Sequence, residues 1–440
     1  MLAVLRELEH KYKQEVVTIG VHSAKFAAEK EIINLRPAVR RLRIGHPVVN
    51  DKDFRVWQEY AVHSWPTLIF IDPVGRVIGK HEGGIPFAAL GRLVEDMVRD
   101  FDARGMLNRA PLLFQQEIEP TFLYFPGKVL ADSRSGRLFI ADTGHHRIVI
   151  AGLDGRVQQV IGAGGPGYRD GSFATCSFDA PQGMALLGES LFVADTENHV
   201  VRRVDLRKGI VETIAGTSDQ GRPRVRRGLA RQVPLSSPWD LAVRRDTLYI
   251  AMAGFHQLWA LDLVGETMSV FAGTGHEGIR DGSRERAWLA QPSGLTIEDE
   301  RLYFADSESS AIRWVDLGPK AEAGTIVGLG LFDFGDVDGT GDAVLLQHPL
   351  GVAVLDGVLY VADTYNHKIK QVFPSTRETT TFAGSGVPGN QDGIGRAAGF
   401  HEPGGISAAE GRLYVADTDN HAIRVIDLTT GEVRTLEIRE

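Results

Sequence analysis

The stretch Leu191-Phe-Val-Ala-Asp-Thr-Glu-Asn-His199 occurs six times in this chain with variations. The central alanines of the six copies are 53 to 57 residues apart. Around each copy, short runs of apolar residues alternate with Gly-rich turns, which predicts four strands of about five residues per repeat. Repeats of this length and composition are typical of β-propeller blades. The sequence therefore predicts a six-bladed, all-β propeller over residues 125–440. The copies begin at Leu138, Leu191, Leu248, Leu302, Leu359 and Leu413.

Composition limits the classes of function. The net charge of −9 argues against attraction of the whole molecule to nucleic acid or to an anionic membrane. Cys176 is the single cysteine, so the chain has neither an internal disulfide nor a Cys-x-x-Cys redox pair. The sequence shows no signal peptide and no apolar run long enough to span a bilayer, so a cytoplasmic location is predicted.

Residues 1–103 follow a different pattern. Buried strands are predicted at Val16–His22 and Thr67–Asp72, and helices at Glu29–Leu42 and Pro86–Phe101. This alternation indicates an α/β layer structure rather than a further blade. Residues 104–124 are predicted to be a linker to the propeller.

Both regions resemble known families. The phrase Ala-Asp-Thr-x-Asn-His, intact at 194–199, 362–367 and 416–421, resembles the NHL repeat. The segments Gly20-Val-His-Ser-Ala-Lys-Phe, His46-Pro-Val-Val-Asn-Asp and Trp65-Pro-Thr-Leu resemble a thioredoxin-like domain, which implies that Pro66 is a cis-proline. This pairing of domains resembles the NHL repeat-containing protein 2 family over nearly the whole chain.

The resemblance also implies missing parts. In that family a strand and a Cys-containing loop precede the first helix, whereas this chain starts inside that helix. The thioredoxin-like domain at 1–103 is therefore expected to be incomplete, with backbone groups of Val16–His22 and Thr67–Asp72 unpaired. The family also implies a further β-rich region after residue 440.

The repeated phrase places an acidic side chain and an imidazole at fixed positions. In some six-bladed lactonases and lyases, a circle of Asp and His side chains from successive blades holds a metal ion. The alternative is a structural turn, with Asn in a left-handed conformation and His bonded to a nearby carbonyl or carboxylate. Every blade needs that turn, so the structural interpretation is favoured. The residues are Asp142, Asp195, Asp306, Asp363 and Asp417, with Met252 as the exception, and His146, His199, His256, His367 and His421, with Ser310 as the exception.

The loop 333–342 resembles a calcium loop because its carboxylates alternate. Gln347 stands where a bidentate Glu is needed, however, and Asp-Gly recurs at 170, 281 and 392 without additional carboxylates. A turn is the favoured interpretation, and no metal or other cofactor is predicted.

The segment between the second and third blades has five arginines in a stretch of ten residues: Arg222, Arg224, Arg226, Arg227 and Arg231. Their planar donors suit phosphate or the carboxylates of a partner. The alternative is a solvated loop on an acidic body, which is the favoured interpretation.

Aligning the innermost strands places Lys128 and Asp240 beside the propeller axis. The other four blades have glycine at this position, which suits a crowded centre. The two charges are expected to form an ion pair across the channel, or half of a ligand site. Cys176 is expected to be a small buried apolar residue rather than a nucleophile.

Together these features predict a non-catalytic protein-binding platform whose loop-bearing face recruits a protein partner of acidic character. Two alternatives stay open. One is a thiol-disulfide or peroxide-linked redox protein whose active loop is missing from this chain. The other is a metal-dependent hydrolase or lyase in the propeller channel.

Overall fold

The computed structural model describes residues 1–110, 121–222 and 225–440. Residues 111–120 of the predicted linker and Arg224 therefore lie outside the described residues. The chain forms two compact units, Met1–Pro120 and Thr121–Glu440. Neither unit has, within its described residues, a helix of the length and apolarity needed to cross a membrane.

The N-terminal unit consists of helices packed on two small sheets. In one sheet two strands pair in parallel, and in the other two strands pair antiparallel. The elements in chain order are α1 (Leu2–Lys11), β1 (Gly20–His22), α2 (Ile32–Arg41), β2 (Val48–Asn50), α3 (Arg55–Glu59), β3 (Thr67–Ile71), β4 (Val77–Glu82) and α4 (Phe87–Ala103). The Trp65–Pro66 peptide bond is cis.

Helices α1 and α4 form the core of this unit. Leu8 of α1 and Tyr12, which follows that helix, pack against Leu90 and Val94 of α4, with Leu68 of β3 alongside. The Tyr12 hydroxyl donates a hydrogen bond to the carbonyl oxygen of Gly91 at 3.2 Å. The amphipathic spacing of apolar residues in both helices accounts for this contact.

The strand predicted at Val16–His22 is shorter and more exposed than expected. Only its last three residues form β1, while the side chains of Val17 and Ile19 are 53% and 61% exposed. Among the described residues β1 pairs only with β2, which spans three residues. The segment before Gly20 therefore has no neighbouring strand in this part of the structure to bury it, and the expectation of a buried strand was wrong.

The C-terminal unit is a six-bladed propeller, as predicted. Each blade is an antiparallel sheet whose first strand is innermost. Blade 1 contains β5 (Lys128–Asp132), β6 (Arg137–Asp142), β7 (Arg147–Gly152) and β8 (Val157–Ile161). Blade 2 contains β10 (Pro181–Leu187), β11 (Ser190–Asp195), β12 (Val200–Asp205) and β13 (Ile210–Ala215). Blade 3 contains β15 (Pro238–Arg244), β16 (Thr247–Met252), β17 (Gln257–Asp262) and β18 (Thr267–Ala272).

The remaining blades repeat this plan. Blade 4 contains β20 (Pro292–Glu298), β21 (Arg301–Asp306), β22 (Ala311–Asp316) and β23 (Glu322–Val327). Blade 5 contains β25 (Gly351–Leu355), β26 (Val358–Asp363), β27 (Lys368–Phe373) and β28 (Glu378–Ala383). Blade 6 contains β30 (Pro403–Ala409), β31 (Arg412–Asp417), β32 (Ala422–Asp427) and β33 (Glu432–Leu436).

Blades 2 to 6 each gain a short outer strand from the segment that precedes the blade. These strands pair antiparallel with the fourth strand of the blade. They are β9 (Gly171–Ser172), β14 (Arg227–Leu229), β19 (Gly282–Ser283), β24 (Gly339–Thr340) and β29 (Gly393–Ile394). In blade 1 the equivalent place is taken by the C-terminal residues: the Val157 N–H donates to the Arg439 carbonyl oxygen at 2.8 Å.

The two ends of the propeller are distinct. The turn face carries the repeated phrase, as in Asp195–His199, between the second and third strands of each blade. The hairpin face carries the turns that join the first to the second strand and the third to the fourth. Pro181 pairs with Asp195, so each first strand begins at the turn face and runs toward the hairpin face.

Apolar side chains fill the space between neighbouring blades. Phe192 and Val201 of blade 2 share one cluster with Leu241 and Trp259 of blade 3, and similar clusters join the other pairs. Each blade thus buries its faces only against its neighbours. Blade 6 closes on blade 1, where the Thr418 hydroxyl donates to the Pro126 carbonyl oxygen at 2.9 Å.

Candidate functional site

The aspartates of the repeated phrase tie each turn to its own blade. One carboxylate oxygen accepts a backbone N–H from the residue two positions before the leading proline of the blade, at 2.7 to 2.8 Å. The other oxygen accepts the side-chain amide of the Asn three residues later in the intact phrases. All five carboxylates are fully buried. Burial raises the pKa of Asp195 and Asp417 to about 6 and that of Asp363 to about 7.

The histidines of the phrase link each blade to the next one. Each ring accepts, through Nδ1, a backbone N–H at 3.0 to 3.3 Å from the residue before the next leading proline. In the fourth blade the Ser310 hydroxyl oxygen takes this place, accepting the His348 N–H at 3.2 Å. These bonds need neutral imidazoles, and burial lowers the pKa of His199 and lowers that of His367 to about 3.

This geometry corrects the turn expected from the sequence. The left-handed residue is the His or Ser310, with φ between 50° and 55°, rather than the Asn. The His ring accepts a backbone N–H in each of these blades, and Nδ1 of His146 also lies 3.3 Å from the Asp179 carboxylate, the kind of partner that the sequence suggested. The Asn side chain instead bridges two groups: its amide donates to the phrase Asp and to the carbonyl oxygen of an adjoining loop. Asn198 bonds to Asp195 and Gly167 in this way.

A second recurring network contains buried cations that the sequence analysis missed. Arg202 is fully buried and donates to Asp195 at 2.7 Å and to Asp170 at 2.9 Å. Arg313 and Arg424 repeat this arrangement in blades 4 and 6. The Asp-Gly aspartates are therefore partners of a buried guanidinium, in addition to being turn residues. The sequence contains a signal for this pairing, because each cation follows the Asp of its Asp-Gly pair by 32 residues. The aspartates are Asp170, Asp281, Asp338 and Asp392.

The acidic loop of blade 5 belongs to the same network. Lys370, fully buried, donates to Asp336 at 2.6 Å and to Asp338 at 2.7 Å. Lys368 also pairs with Asp336, and Arg396 pairs with Asp338 at 2.8 Å. These two carboxylates thus neutralise lysine and arginine side chains. Among the described residues, no group of three or more His, Cys, Asp or Glu side chains is arranged to hold a metal.

Blade 3 departs from this network at every position. Met252 stands in place of the phrase aspartate, Trp259 in place of the buried cation, and Arg227-Gly228 in place of Asp-Gly. Trp259 is fully buried, and its Nε1–H donates to the Gln257 side-chain oxygen at 3.1 Å. Arg227 is exposed. Blade 3 has therefore exchanged a buried charge network for apolar packing and carries a surface arginine where blades 2, 4, 5 and 6 carry a paired aspartate.

The arginine-rich segment runs along the outer edge of blade 3. Arg227 lies in β14, opposite Ser269, so part of the predicted loop is an edge strand. The interblade segments supply outer strands in all of blades 2 to 6, which explains this difference from the expected loop. Arg222, Arg226, Arg227 and Arg231 are exposed, and Arg231 donates to the Thr213 carbonyl oxygen at 2.8 Å.

Lys128 and Asp240 meet on the propeller axis as a buried ion pair. The Lys128 ammonium lies 3.2 Å from Asp240 and also donates to the carbonyl oxygens of Ser293 and Leu350, at 2.9 and 2.6 Å. Asp240 accepts the backbone N–H groups of Leu241 and Leu295. Burial lowers the pKa of Lys128 and raises that of Asp240. All three ammonium protons have acceptors, so the pair is internally satisfied.

Glycine makes room for this pair. A Cβ at Gly405 would lie 2.6 Å from the Lys128 Cα, and one at Gly183 would overlap Asp240. The first strands therefore converge at the turn face, where the ion pair fills the axis. Toward the hairpin face the channel widens into a cavity of about 670 Å³.

Cys176 lies away from these groups. It is buried among apolar side chains that include Phe178 and Leu191, between blades 1 and 2. Burial raises the pKa of its thiol, which disfavours the reactive thiolate.

Comparison with known proteins assigns the class of this propeller. The family model described as NHL repeat matches residues 346–372 and 400–426. NHL repeat-containing protein 2 of Bos taurus and of Homo sapiens are each 42% identical over the whole of this chain, which spans 66% of their length. The Arabidopsis thaliana protein named SUPPRESSOR OF QUENCHING 1, chloroplastic, is 40% identical over the whole chain and 44% of its own length. An auxiliary nutrient binding protein of Bacteroides thetaiotaomicron shares the fold, with a TM-score of 0.53 and 14% identity over 72% of this chain and 70% of that one.

The fold and its repeat turns are those of an NHL propeller protein. The chain belongs to the NHL repeat-containing protein 2 family.

The histidine links predict a specific pH dependence. An unfolded His has a pKa near 6.5, while His367 in the fold has a pKa of about 3, so the unfolded chain binds an extra proton between these values. Stability from His367 is therefore complete above about pH 6.5 and is lost as pH falls, by about 2 kcal/mol at pH 5. His367→Asn, which keeps an acceptor, should reduce this loss in urea unfolding measured at pH 7 and pH 5.

The raised pKa of Asp363 acts in the opposite direction, because that carboxyl favours the fold at low pH. It is present in both proteins, so the difference between them isolates His367. The exposed His10→Asn serves as the control. Equal pH dependence in wild type and His367→Asn would contradict the prediction.

The axial ion pair predicts a strongly non-additive mutant cycle. Lys128→Met leaves the Asp240 carboxyl buried without its cation and should lower the free energy of unfolding by about 3–5 kcal/mol. Lys128→Met combined with Asp240→Asn should cost less than the two single changes together. The exposed pair of Arg203 and Glu212 provides the control, since Arg203→Met should cost within about 1 kcal/mol. Additive losses in denaturant unfolding would refute the pairing.

Proposed function

We propose that this chain is a non-catalytic protein-binding platform and that its contact surface is the outer edge of blade 3. The observation that carries the proposal is the exchange of the buried charge network of blade 3 for Met252 and Trp259. That exchange leaves the Arg227 side chain exposed at the surface, where it has no partner among the described residues. NHL propellers commonly mediate protein interactions, which favours this class of function.

The surface has the properties of a binding edge. Strand β14 is an edge strand, and such strands present backbone donors and acceptors to an incoming segment. Leu229 at the end of the strand is 53% exposed, and Val225 just before the strand is 40% exposed. Arg222, Arg226 and Arg227 have no side-chain partner among the described residues. The edge therefore combines apolar contact area with unneutralised positive charge.

These properties suit an acidic protein partner. The chain as a whole carries a net charge of −9, so the arginines form a local positive field on an acidic body. Such a field speeds encounter with an acidic surface and weakens with salt. Arginine also forms bidentate bonds with carboxylates, which adds specificity once contact is made.

A second proposal concerns the fold of the N-terminal unit. We propose that residues 1–103 are thioredoxin-like, on the strength of their order of helices and strands and the sequence segments around Gly20, His46 and Trp65. The redox alternative rests on this assignment. The cytoplasmic location of the protein stays a prediction from the sequence, since one relative is named as chloroplastic.

The redox alternative makes a direct prediction for the 440-residue chain. One cysteine cannot cycle through an internal disulfide, and Cys176 is buried. Insulin reduction by the purified chain should stay at the uncatalysed rate, and Cys176→Ser should leave that rate unchanged. Catalysed reduction that disappears with Cys176→Ser would overturn the non-catalytic proposal.

The binding proposal is tested by reversing charge at the edge. Arg222, Arg226 and Arg227 are changed together to Glu, and a partner is first identified by pull-down with the wild-type chain. The association rate constant at low salt should fall at least tenfold in the variant, because steering by the local field is lost. The free energy of unfolding should change by only about 0.5 kcal/mol for each exposed position. Association rates at low and high salt provide the measurement.

The matched control changes Arg207, Arg245 and Arg434 to Glu. These arginines are also exposed, so the change in net charge is identical but is removed from the edge. The control should associate within about threefold of wild type. Equal slowing of both variants, or association that does not respond to salt, would rule out the edge of blade 3 as the contact surface.

A further inference from the structure

The propeller axis contains a well that opens on the hairpin face. The first strands of all six blades line it, and its volume is about 670 Å³. The Lys128–Asp240 pair closes it toward the turn face. This volume lies within the range that is typical of small-molecule sites, whose walls are largely apolar.

The wall of the well is aliphatic between its floor and its rim. Leu130, Leu186, Val243, Ile297 and Val354 contribute apolar side chains that are only half-buried. Two hydroxyl groups interrupt this surface, and both accept backbone N–H groups. Thr296 accepts from Val354 at 3.3 Å, and Ser407 accepts from Ala131 at 3.0 Å. The aliphatic side chains of the wall therefore offer contact area to an apolar occupant.

Among the described residues that line the rim of the well, Arg134 is the one cation whose side chain has no partner. The Asp132 carboxylate accepts bonds from the backbone and hydroxyl of Ser135. Arg137 donates to the Ser135 hydroxyl oxygen and lies 3.7 Å from the Glu189 carboxylate. Arg134 lines the same rim and is exposed, and its side chain has no partner among the described residues.

We propose that the well binds an aliphatic carboxylate, with the alkyl chain directed inward and the carboxylate held by Arg134. The wall formed by Val129–Asp132 of β5 is roughly 13 Å deep. A fully extended chain of about ten carbons spans this depth. At the floor the Lys128 and Asp240 side chains satisfy each other, so the charged end of the ligand belongs at the rim. This site is independent of the proposed edge of blade 3 and of its partner.

The test is calorimetric titration of the full 440-residue chain with octanoate, decanoate and decylamine below their micellar concentrations. One decanoate should bind per chain. Each buried methylene contributes about a fourfold gain in affinity, so decanoate should bind about 15-fold more tightly than octanoate. Decylamine should bind more weakly than decanoate, because its cation meets Arg134. Absence of saturable decanoate binding, or equal binding of decylamine, would overturn the proposal.

Variants locate the binding within the well. Arg134→Glu should weaken decanoate binding about tenfold, the scale of a charge-assisted hydrogen bond. Arg207→Glu is the matched control, since Arg207 is exposed in the outer turn of blade 2 on the same hairpin face. This variant should bind decanoate as wild type does. Ala408→Phe fills the wall of the well and should abolish the dependence on chain length.

Circular dichroism melts confirm that each variant folds. Arg134→Glu and the chain-length series decide the question even if Ala408→Phe unfolds the blade. Equal affinity in Arg134→Glu and Arg207→Glu would reject the assignment of the carboxylate to Arg134. Unchanged binding in a folded Ala408→Phe variant would reject the well as the site.

Discussion

One ammonium group on the axis holds four blades of the propeller in place. Lys128 comes from blade 1, while its acceptors come from blades 3, 4 and 5. Removing both charges from water is costly, and that cost is offset only because every donor of the lysine has an acceptor at short range. The glycines at the same level of the neighbouring strands are the steric counterpart, since they leave space for the two side chains. The axis is thereby closed at the turn face and open at the hairpin face.

The same balance of burial and pairing recurs at the periphery. Arg202, Arg313, Lys370 and Arg424 are each fully buried and neutralised by aspartates. Each arginine bridges aspartates of two segments, whereas both aspartates of Lys370 lie in one loop. A guanidinium suits this position because its fork reaches two carboxylates and nearby carbonyl oxygens together. The three arginines thereby connect the loop before a blade to the phrase aspartate of the same blade. Blade 3 shows that the fold tolerates an apolar substitute, with Trp259 filling the equivalent space.

The sequence predicted the parts of the structure that depend on local pattern. The six blades follow from a phrase whose strands and turn form within a few residues, and the opposed charges of Lys128 and Asp240 followed from aligning the innermost strands. It failed where a residue's role depends on a distant partner. The Asp-Gly aspartates were interpreted as turns because their cations lie 32 residues further along the chain, in the third strand of the blade. The bonding of the phrase histidines was missed because their donors belong to the next blade. The segment Val16–Ile19 has an apolar pattern that predicts a buried strand, yet burial requires neighbouring strands that pattern alone cannot supply.

The outer edge of blade 1 has a consequence for biosynthesis. Its strand β8 is bonded by residues near Arg439, so the first blade begun is the last one completed. The Val157 N–H has no native acceptor until Arg439 has been synthesised, after all the other blades. At the usual rate of protein synthesis that interval is about 15–60 s, during which the open ring leaves apolar faces of blade 1 uncovered on the ribosome. Nascent chains of this protein therefore have a long interval in which chaperones, or the corresponding edge of another chain, compete with the native C-terminal residues.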